Sequence, residues 1–187
     1  MSIYLASKSP RRRQLLNQID IEFISIVVEI DETPRKHEVP QLYVERMAVE
    51  KAKAGWDSPQ RKEQRPVLAA DTCVVLDGQI MGKPVSDEHA VSILKKLSDK
   101  THQVITSVAI SNKDKTELVT NTTNVTFCML PIGLIEYYVS TGDCTDKAGA
   151  YGIQGFAARF VMLLSGSYSG VVGLPLYETA QLLQKFK

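Results

Sequence analysis

The chain has 187 residues, enough for one domain or two closely joined lobes around a substantial core. Its 22 basic and 21 acidic residues leave a net charge of +1, so no global field favours nucleic acid or an anionic membrane, and any anion site must be local. Hydrophobic residues at 44% and charged residues at 23% suit a soluble globular protein, with no apolar run near a membrane span and no apolar signal-peptide core at the N-terminus.

Residues 2–6, "SIYLA", predict a strand running into the turn "SKSP" and a first helix. Ser7 and Ser9 offer N-cap oxygens, Pro10 suits the first helical position, and Leu15, Leu16 and Ile19 form an apolar stripe. "FISIVVEI", 23–30, predicts a second strand ending at the acidic pair Asp31-Glu32. "PQLYVERMAVEKAKAG", 40–55, predicts a helix with Gly55 as its stop, and "WDSPQRKEQRP" a polar surface loop after it. "VLAADTCVVLDGQIMG", 67–82, predicts a hairpin closed by Asp77-Gly78 in a type I′ turn. "SDEHAVSILKKLSDK" predicts a helix whose leading acids and trailing lysines match its dipole. Strands at about 102–111 and 116–129 meet through "NKDK", and a short helix after Pro131 carries Ile135, Tyr138 and Val139. The last third holds "DKAGAYGIQG", a strand near 159–164 and a helix from about Leu176 to Phe186. Irregular alternation of strands and helices, hairpins included, predicts a mixed-sheet α/β (α+β) protein and not a purely parallel doubly wound one.

Four features break their local rule. Arg11, Arg12 and Arg13 stand in the first turn of a helix, against the positive end of its dipole. A basic run of this kind serves as a solvated face, or one of the three returns to the strand-to-helix turn and forms a phosphate site with its free N–H groups. Lys51 shares the apolar face of its helix with Val44, Met47 and Ala48. It either snorkels to the surface or reaches an anion in a cleft. Asp71 interrupts an otherwise apolar strand, where a carboxylate needs a cation, donors or a raised pKa, unless it caps a turn or faces water from an edge strand; Asp77-Gly78 already supplies the turn. "GQIMGKP", 78–84, fails as a P-loop: it has one residue too few between its glycines and Pro84 where a Ser/Thr belongs. Lys83 can still act as a point charge on a phosphate.

Taken together, Arg11, Arg12, Lys51 and Lys83 with the carboxylates Glu32 and Asp71 are the mixture that a polyphosphate with a divalent metal requires. The cations neutralise phosphate oxygens; the hard carboxylate oxygens hold Mg²⁺ or Mn²⁺ and orient a water. Cys73, Cys128 and Cys144, odd in number and widely spaced, suit reduced thiols in the cytoplasm. His37, His89 and His102 show no metal-ligand spacing and read as structural or exposed.

These blocks in this order resemble the Maf family of nucleoside triphosphate pyrophosphatases over nearly the whole chain. The likeness rests on "ASKSPRRRQLL", "DE" at 31–32, "EKAKA" at 50–54, "AADT" at 69–72, "GQIMGKP", "LSDKTHQVIT" at 97–106, "DKAGAYGIQG" at 146–155 and "GSYSGVVGLPL" at 166–176. The resemblance implies a single Maf-like domain over 1–187: an elongated fold similar to inosine triphosphate pyrophosphatases, with a central mixed, curved sheet flanked by helices and a cleft between two lobes. It implies hydrolysis of a nucleoside triphosphate to the monophosphate and pyrophosphate with a divalent cation (Mg²⁺, Mn²⁺ or Co²⁺), in a cytoplasmic, house-cleaning homodimer. Asp71 is then the general base, Glu32 assists with metal and water, and Ser9, Arg12, Lys51 and Lys83 surround the phosphates. The resemblance also implies that Glu32 and Asp71 are the metal ligands. Arg11, Thr72 and Gln154 resemble the branch acting on dTTP and UTP, and argue against the alternative of the same reaction on a non-standard purine nucleotide or on 7-methyl-GTP, whose branch tends to have Trp, Gln and Glu there. The family's link with inhibition of septum formation implies the alternative of a regulator acting by binding. Asp99 and Ala157 stand where the family commonly has Gly.

Overall fold

The computed structural model describes residues 2–186; positions 1 and 187 of the expected single domain lie outside the described residues. The expected first strand and helix form as β1 (Ser2–Ala6) and α1 (Pro10–Gln18). Ser9 caps α1, its Oγ accepting from the Arg12 backbone N–H at 3.4 Å. The second strand is shorter than its apolar run: β2 (Glu22–Ile26) pairs in parallel only with β1, in a register that ends at Ala6↔Ile26. Where β1 turns away into "SKSP", β2 loses its one partner, and residues 27–30 continue as loop.

The next helix, α2 (Pro40–Trp56), runs through Gly55, which is not its stop. A Cβ at Gly55 would lie 2.7 Å from Val67 Cγ1 and 3.0 Å from Ala6 Cβ, so this glycine is required by close packing on the sheet. Ala48, Ala52 and Gly55, spaced at four and three residues, form the small-residue stripe that lets α2 settle there. The hairpin forms as β3 (Val67–Leu76) and β4 (Gln79–Met81), joined by Asp77 and Gly78 at φ 50° and 77°, as a type I′ turn demands.

Beyond it come α3 (Asp87–Leu97), β5 (Thr101–Ser111), β6 (Thr116–Phe127) and α4 (Ile132–Ser140), the last burying Ile135, Tyr138 and Val139 as its spacing predicts. Two 3₁₀ turns, Ala148–Ala150 and Phe156–Phe160, lead to β7 (Val161–Ser165). A short helix that the sequence reading does not contain, α5 (Tyr168–Val172), precedes α6 (Leu176–Gln184).

The seven strands among the described residues make one mixed sheet in the order β2-β1-β3-β5-β6-β7, with β4 also on β3. Alternation along β3 divides the core. Val67 and Ala69 face α2 with Tyr4, Ala48, Ala52 and Ala109, and Cys73 and Val75 continue that face with Val44 and Ile105. Leu68, Ala70, Val74 and Leu76 face the larger core formed with the remaining helices.

One detail of pairing positions the site. On one side of β3, β1 pairs last at Leu5↔Leu68, and β4 begins at Val74↔Met81. Among the described residues, 69–73 therefore have no strand on that side, although β5 pairs them continuously on the other. Asp71 sits at the centre of this gap.

Candidate active site

The gap opens into a cleft of about 1050 Å³, and all nine residues singled out in the sequence line it: Ser9, Arg11, Arg12, Glu32, Lys51, Asp71, Thr72, Lys83 and Gln154. Because the sheet is open at this point, successive residues of β3 reach the cleft from opposite faces. Asp71 points to the α2 face and Thr72 to the other.

On the α2 face, Lys51 does not snorkel to the surface. Its Nζ lies 2.7 Å from Asp71 Oδ1 and 2.8 Å from Glu32 Oε1. Lys51 and Asp71 are each 15% exposed at the side chain and Glu32 is 53% exposed, so the triad lies at the cleft wall. Partial burial works against the Glu32 carboxylate, but the Lys51 hydrogen bond and charge, with Lys83 and Arg12 adding to it, hold its pKa below the usual value. Tyr43 completes this corner: its hydroxyl donates to the Glu32 carbonyl at 3.1 Å. Burial, with the charges of Asp71 and Glu32, pushes the Tyr43 phenol up to about 12, so it stays a donor. Burial and Asp71 likewise push Cys73 up to about 12, which keeps that thiol protonated and unreactive.

The three arginines separate as their helical spacing requires. Arg13 faces solvent. Arg11 meets Asp146 across the cleft at 3.5 Å. Arg12 returns to the turn. Its Nε donates to the Gly173 carbonyl at 2.8 Å, one terminal nitrogen to Thr72 Oγ1 at 3.2 Å and the other to Ser7 Oγ at 3.4 Å. Part of the side chain remains accessible, yet protein surrounds the guanidinium, and that burial lowers its pKa against the opposing pull of Asp71. A guanidinium has five N–H donors, so these three bonds leave about two for a ligand. Thr72 Oγ1 is also 3.0 Å from Thr106 Oγ1, which donates to the Gly170 carbonyl at 2.8 Å. Thr72 therefore joins Arg12 to the α5 turn as well as lining the cleft.

Lys83 and Gln154 are exposed on the opposite lip. The segment carrying Gln154 is fixed by backbone conformation: Gly149, at φ 70°, lies where a Cβ would come 2.8 Å from Val74, and its N–H donates to the Gly82 carbonyl at 3.1 Å. This bond ties the Gln154 segment to the turn carrying Lys83. The structure gives Ser7, a candidate N-cap in the sequence, to Arg12 instead, and adds Tyr43, Asp143, Asp146 and Lys147, which sequence reasoning did not single out. Lys147 contacts Asp143 at 3.1 Å and Asp146 at 2.7 Å. Its signal in the sequence is a lysine preceded by two acids, Asp143 and Asp146, in "DCTDKAGAYG", a segment whose glycines mark a tight turn.

Could this cleft hold a divalent cation? Glu32 and Asp71 place two hard carboxylate oxygens on one ammonium, which shows that they converge on a single cation. No group of three or more His, Cys, Asp or Glu side chains suited to a metal occurs among the described residues. Two carboxylates with the remaining positions left to water and substrate phosphate is the pattern Mg²⁺ favours, so the residues fit.

A mixed sheet with a cleft lined by charges of both signs at a break in strand pairing defines the class, an α/β protein with its candidate site at the open stretch of the sheet. The chain belongs to the Maf family: the family model described as "Maf-like protein" matches residues 2–186. It is 48% identical over 184 residues to the dTTP/UTP pyrophosphatase of Pseudoalteromonas atlantica, covering 98% of this chain and 96% of that one. It is 50% identical over 185 residues to the dTTP/UTP pyrophosphatase of Pseudoalteromonas translucida, covering 99% and 97%. Among solved structures it resembles a nucleoside-triphosphatase, dITP/XTP pyrophosphatase, from Mycobacterium abscessus at TM-score 0.50 and 16% identity, covering 100% of this chain and 98% of that one. That likeness supports the expected fold.

Proposed function

We propose that this chain is a nucleoside triphosphate pyrophosphatase, hydrolysing dTTP and UTP to the monophosphate and pyrophosphate. The observation that carries the chemistry is the pair of carboxylates Glu32 and Asp71 on Lys51, set in the gap of the sheet opposite the Arg12 turn. The substrate class is supported by the relatives' names and by Arg11, Thr72 and Gln154 together on the cleft lining.

Asp71 Oδ1 is occupied by Lys51, and Oδ2 has no hydrogen bond among the described residues. Oδ2 is placed to take the proton of a water attacking the α-phosphorus. A bond forms from that water oxygen to phosphorus, the bond to the α–β bridging oxygen breaks, and pyrophosphate leaves with the electron pair. Arg12, through its spare N–H groups, and Ser9, Lys51 and Lys83 neutralise and position the phosphate oxygens. Glu32 and Asp71 would hold a divalent cation (Mg²⁺, Mn²⁺ or Co²⁺), which supplies charge neutralisation and water activation when bound. Gln154, with both a donor and an acceptor, suits the imide edge of a pyrimidine.

The reading extends to one Maf-like domain working in the cytoplasm as a homodimer. Three unpaired cysteines agree with a reducing compartment, and no described helix is long and apolar enough to cross a membrane.

The test is pyrophosphate release from dTTP, UTP, CTP, ATP, GTP and 7-methyl-GTP with Mg²⁺ or Mn²⁺, for wild type and Asp71→Asn. Turnover concentrated on dTTP and UTP, falling about 10²-fold to 10⁴-fold in the variant, is expected. Turnover on 7-methyl-GTP alone would overturn the specificity, and none on any nucleotide would favour a regulator acting by binding.

A further inference from the structure

Glu32 sits in a loop, residues 27–39, with no regular structure to fix it. The loop is nevertheless bound to one side of α2 by Tyr43, Arg46 and Glu50, which recur at three and four residues along the helix. Arg46 makes most of these bonds. Its Nε and one terminal nitrogen grip the Glu38 carboxylate at 2.6 and 2.7 Å, a two-pronged fork. The same terminal nitrogen donates to the Thr33 carbonyl at 3.1 Å, one residue from Glu32, and the other lies 3.5 Å from Glu50. Glu38 in turn accepts from the Arg35 backbone N–H at 2.9 Å, and Arg35 reaches Glu50 at 3.3 Å. The Arg46 and Glu38 side chains are only 12% and 8% exposed, unlike the mostly exposed residues around them in the loop.

We propose that Arg46 is a positioning residue for Glu32: by gripping Glu38 and the Thr33 carbonyl, it straps the 27–39 loop onto α2 and holds the Glu32 carboxylate against Lys51 and Asp71. The functional consequence rests on the reading of Glu32 as a group that serves nucleotide hydrolysis. Without the strap, Tyr43 and Lys51 would be the remaining contacts at Glu32 itself, and Lys51 is the group a phosphate would draw away. Among the described residues Arg46 makes no hydrogen bond or ion pair with Lys51 or Asp71, so it acts through the loop. Its fork cannot be reproduced by a lysine. The hydrogen bond from Arg46, partly opposed by burial, holds the Glu38 pKa down at about 2, so the strap keeps its charge well into acid.

The test compares wild type, Arg46→Met, Arg46→Lys, Glu32→Gln and the Arg46→Met/Glu32→Gln double variant. It measures the Mn²⁺ concentration for half-maximal pyrophosphate release and amide hydrogen exchange over residues 27–39. Supporting residues of this kind typically cost 10-fold to 100-fold in metal affinity or activity when lost. Arg46→Met should raise the Mn²⁺ requirement by about 10-fold or more, speed exchange at the Thr33 and Arg35 amides and leave the β3–β5 ladder protected. Arg46→Lys should fall between it and wild type, and if Arg46→Met does not fold, Arg46→Lys carries the test. In the Glu32→Gln background the Arg46 change should add nothing further. Wild-type exchange with a wild-type Mn²⁺ requirement overturns the proposal, as does an Arg46 effect that persists in full without the Glu32 carboxylate. If wild type turns over no nucleotide, the enzymatic reading fails, while loop exchange and Mn²⁺ binding followed by electron paramagnetic resonance still decide the strap.

Discussion

Lys51→Met isolates the electrostatics of the site because it keeps most of the side-chain bulk and removes the charge. In the wild type, Asp71 Oδ1 and Glu32 Oε1 lie 2.7 and 2.8 Å from one nitrogen, so the two oxygens can be no more than the sum, 5.5 Å, apart. Two unit charges about 5 Å apart repel by about 3 kcal/mol at an effective dielectric constant near 20. Glu32 is half-exposed, and water screening reduces this to about 1 kcal/mol. The variant should therefore melt about 2–4 °C below wild type at neutral pH.

The pH dependence has a definite sign. The Glu32 carboxyl is held below its ordinary pKa in the folded wild type, and Lys51 is the chief partner doing so against burial. A carboxyl depressed in this way contributes stability above its unfolded pKa and loses it as pH falls through the folded value. Without Lys51 that contribution is absent, so the gap between variant and wild type should be widest above about pH 5 and should close below about pH 4. Mn²⁺ supplies the second check. At ten times its dissociation constant a bound ion stabilises by about 1.4 kcal/mol, and it should raise the melting temperature of Lys51→Met more than that of wild type, where the ammonium occupies the same oxygens. Melting curves at pH 4 to 8 with and without Mn²⁺ measure both effects. A variant as stable as wild type at pH 7.5, or one indifferent to Mn²⁺, refutes the reasoning.

Two further outcomes follow from single residues. Asp99 holds φ at 57°, a left-handed conformation that glycine adopts freely, while its N–H donates to the Cys128 carbonyl at 3.1 Å. Asp99→Gly keeps that bond and relieves the backbone, so after the entropy that glycine adds to the unfolded chain it should gain about 0.5 kcal/mol in urea unfolding; a loss would show that the Asp side chain contributes locally. His102 is 1% exposed, with Nε2 2.8 Å from the Tyr151 hydroxyl, and burial lowers its pKa to about 4. An imidazole kept neutral by folding contributes stability above its unfolded pKa near 6.5 and loses it as pH falls toward the folded value. Between pH 7 and 5 this group alone should cost the wild type about 2 kcal/mol, and His102→Phe should lack that part of the slope; parallel pH profiles would count against it.

The sequence announced the elements whose cause is local. Ser9 before Pro10, the Asp77-Gly78 turn and the acids and lysines of α3 all appear where their chemistry placed them. It was misleading where a partner decides. "VVEI" has the composition of a strand, but a strand extends only as far as its neighbour, and β1 stops at Ala6. Gly55 looks like a helix terminator and is instead a contact with Val67, which no local pattern shows. Lys51 and Asp71 were visible as charges on apolar faces, twenty residues apart, yet that they answer one another depends on α2 lying across β3. The gap in β3 pairing was not legible at all, because it arises from where β1 ends and β4 begins.

That gap also explains why three arginines are tolerated at the start of α1, where each cation costs about 0.3–1 kcal/mol against the helix dipole. Arg13 faces water, and Arg11 is compensated by Asp146. Arg12 is different: its partners are a carbonyl and two hydroxyls, while both carboxylates nearest the gap are already held by Lys51. Among the described residues its positive charge has no direct carboxylate partner. Counted over the lining, six cationic and five anionic side chains meet in the cleft, so it is close to neutral when empty. A bare triphosphate would bring about four negative charges and repel the carboxylate pair, and a bare divalent ion would compete with Lys51. Together they would bring only about −2, and in the proposed roles the phosphates would lie toward Arg12 and Lys83 and the cation toward Glu32 and Asp71. The charge pattern therefore favours joint entry of nucleotide and metal, and it needs both the misplaced arginine and the interrupted strand.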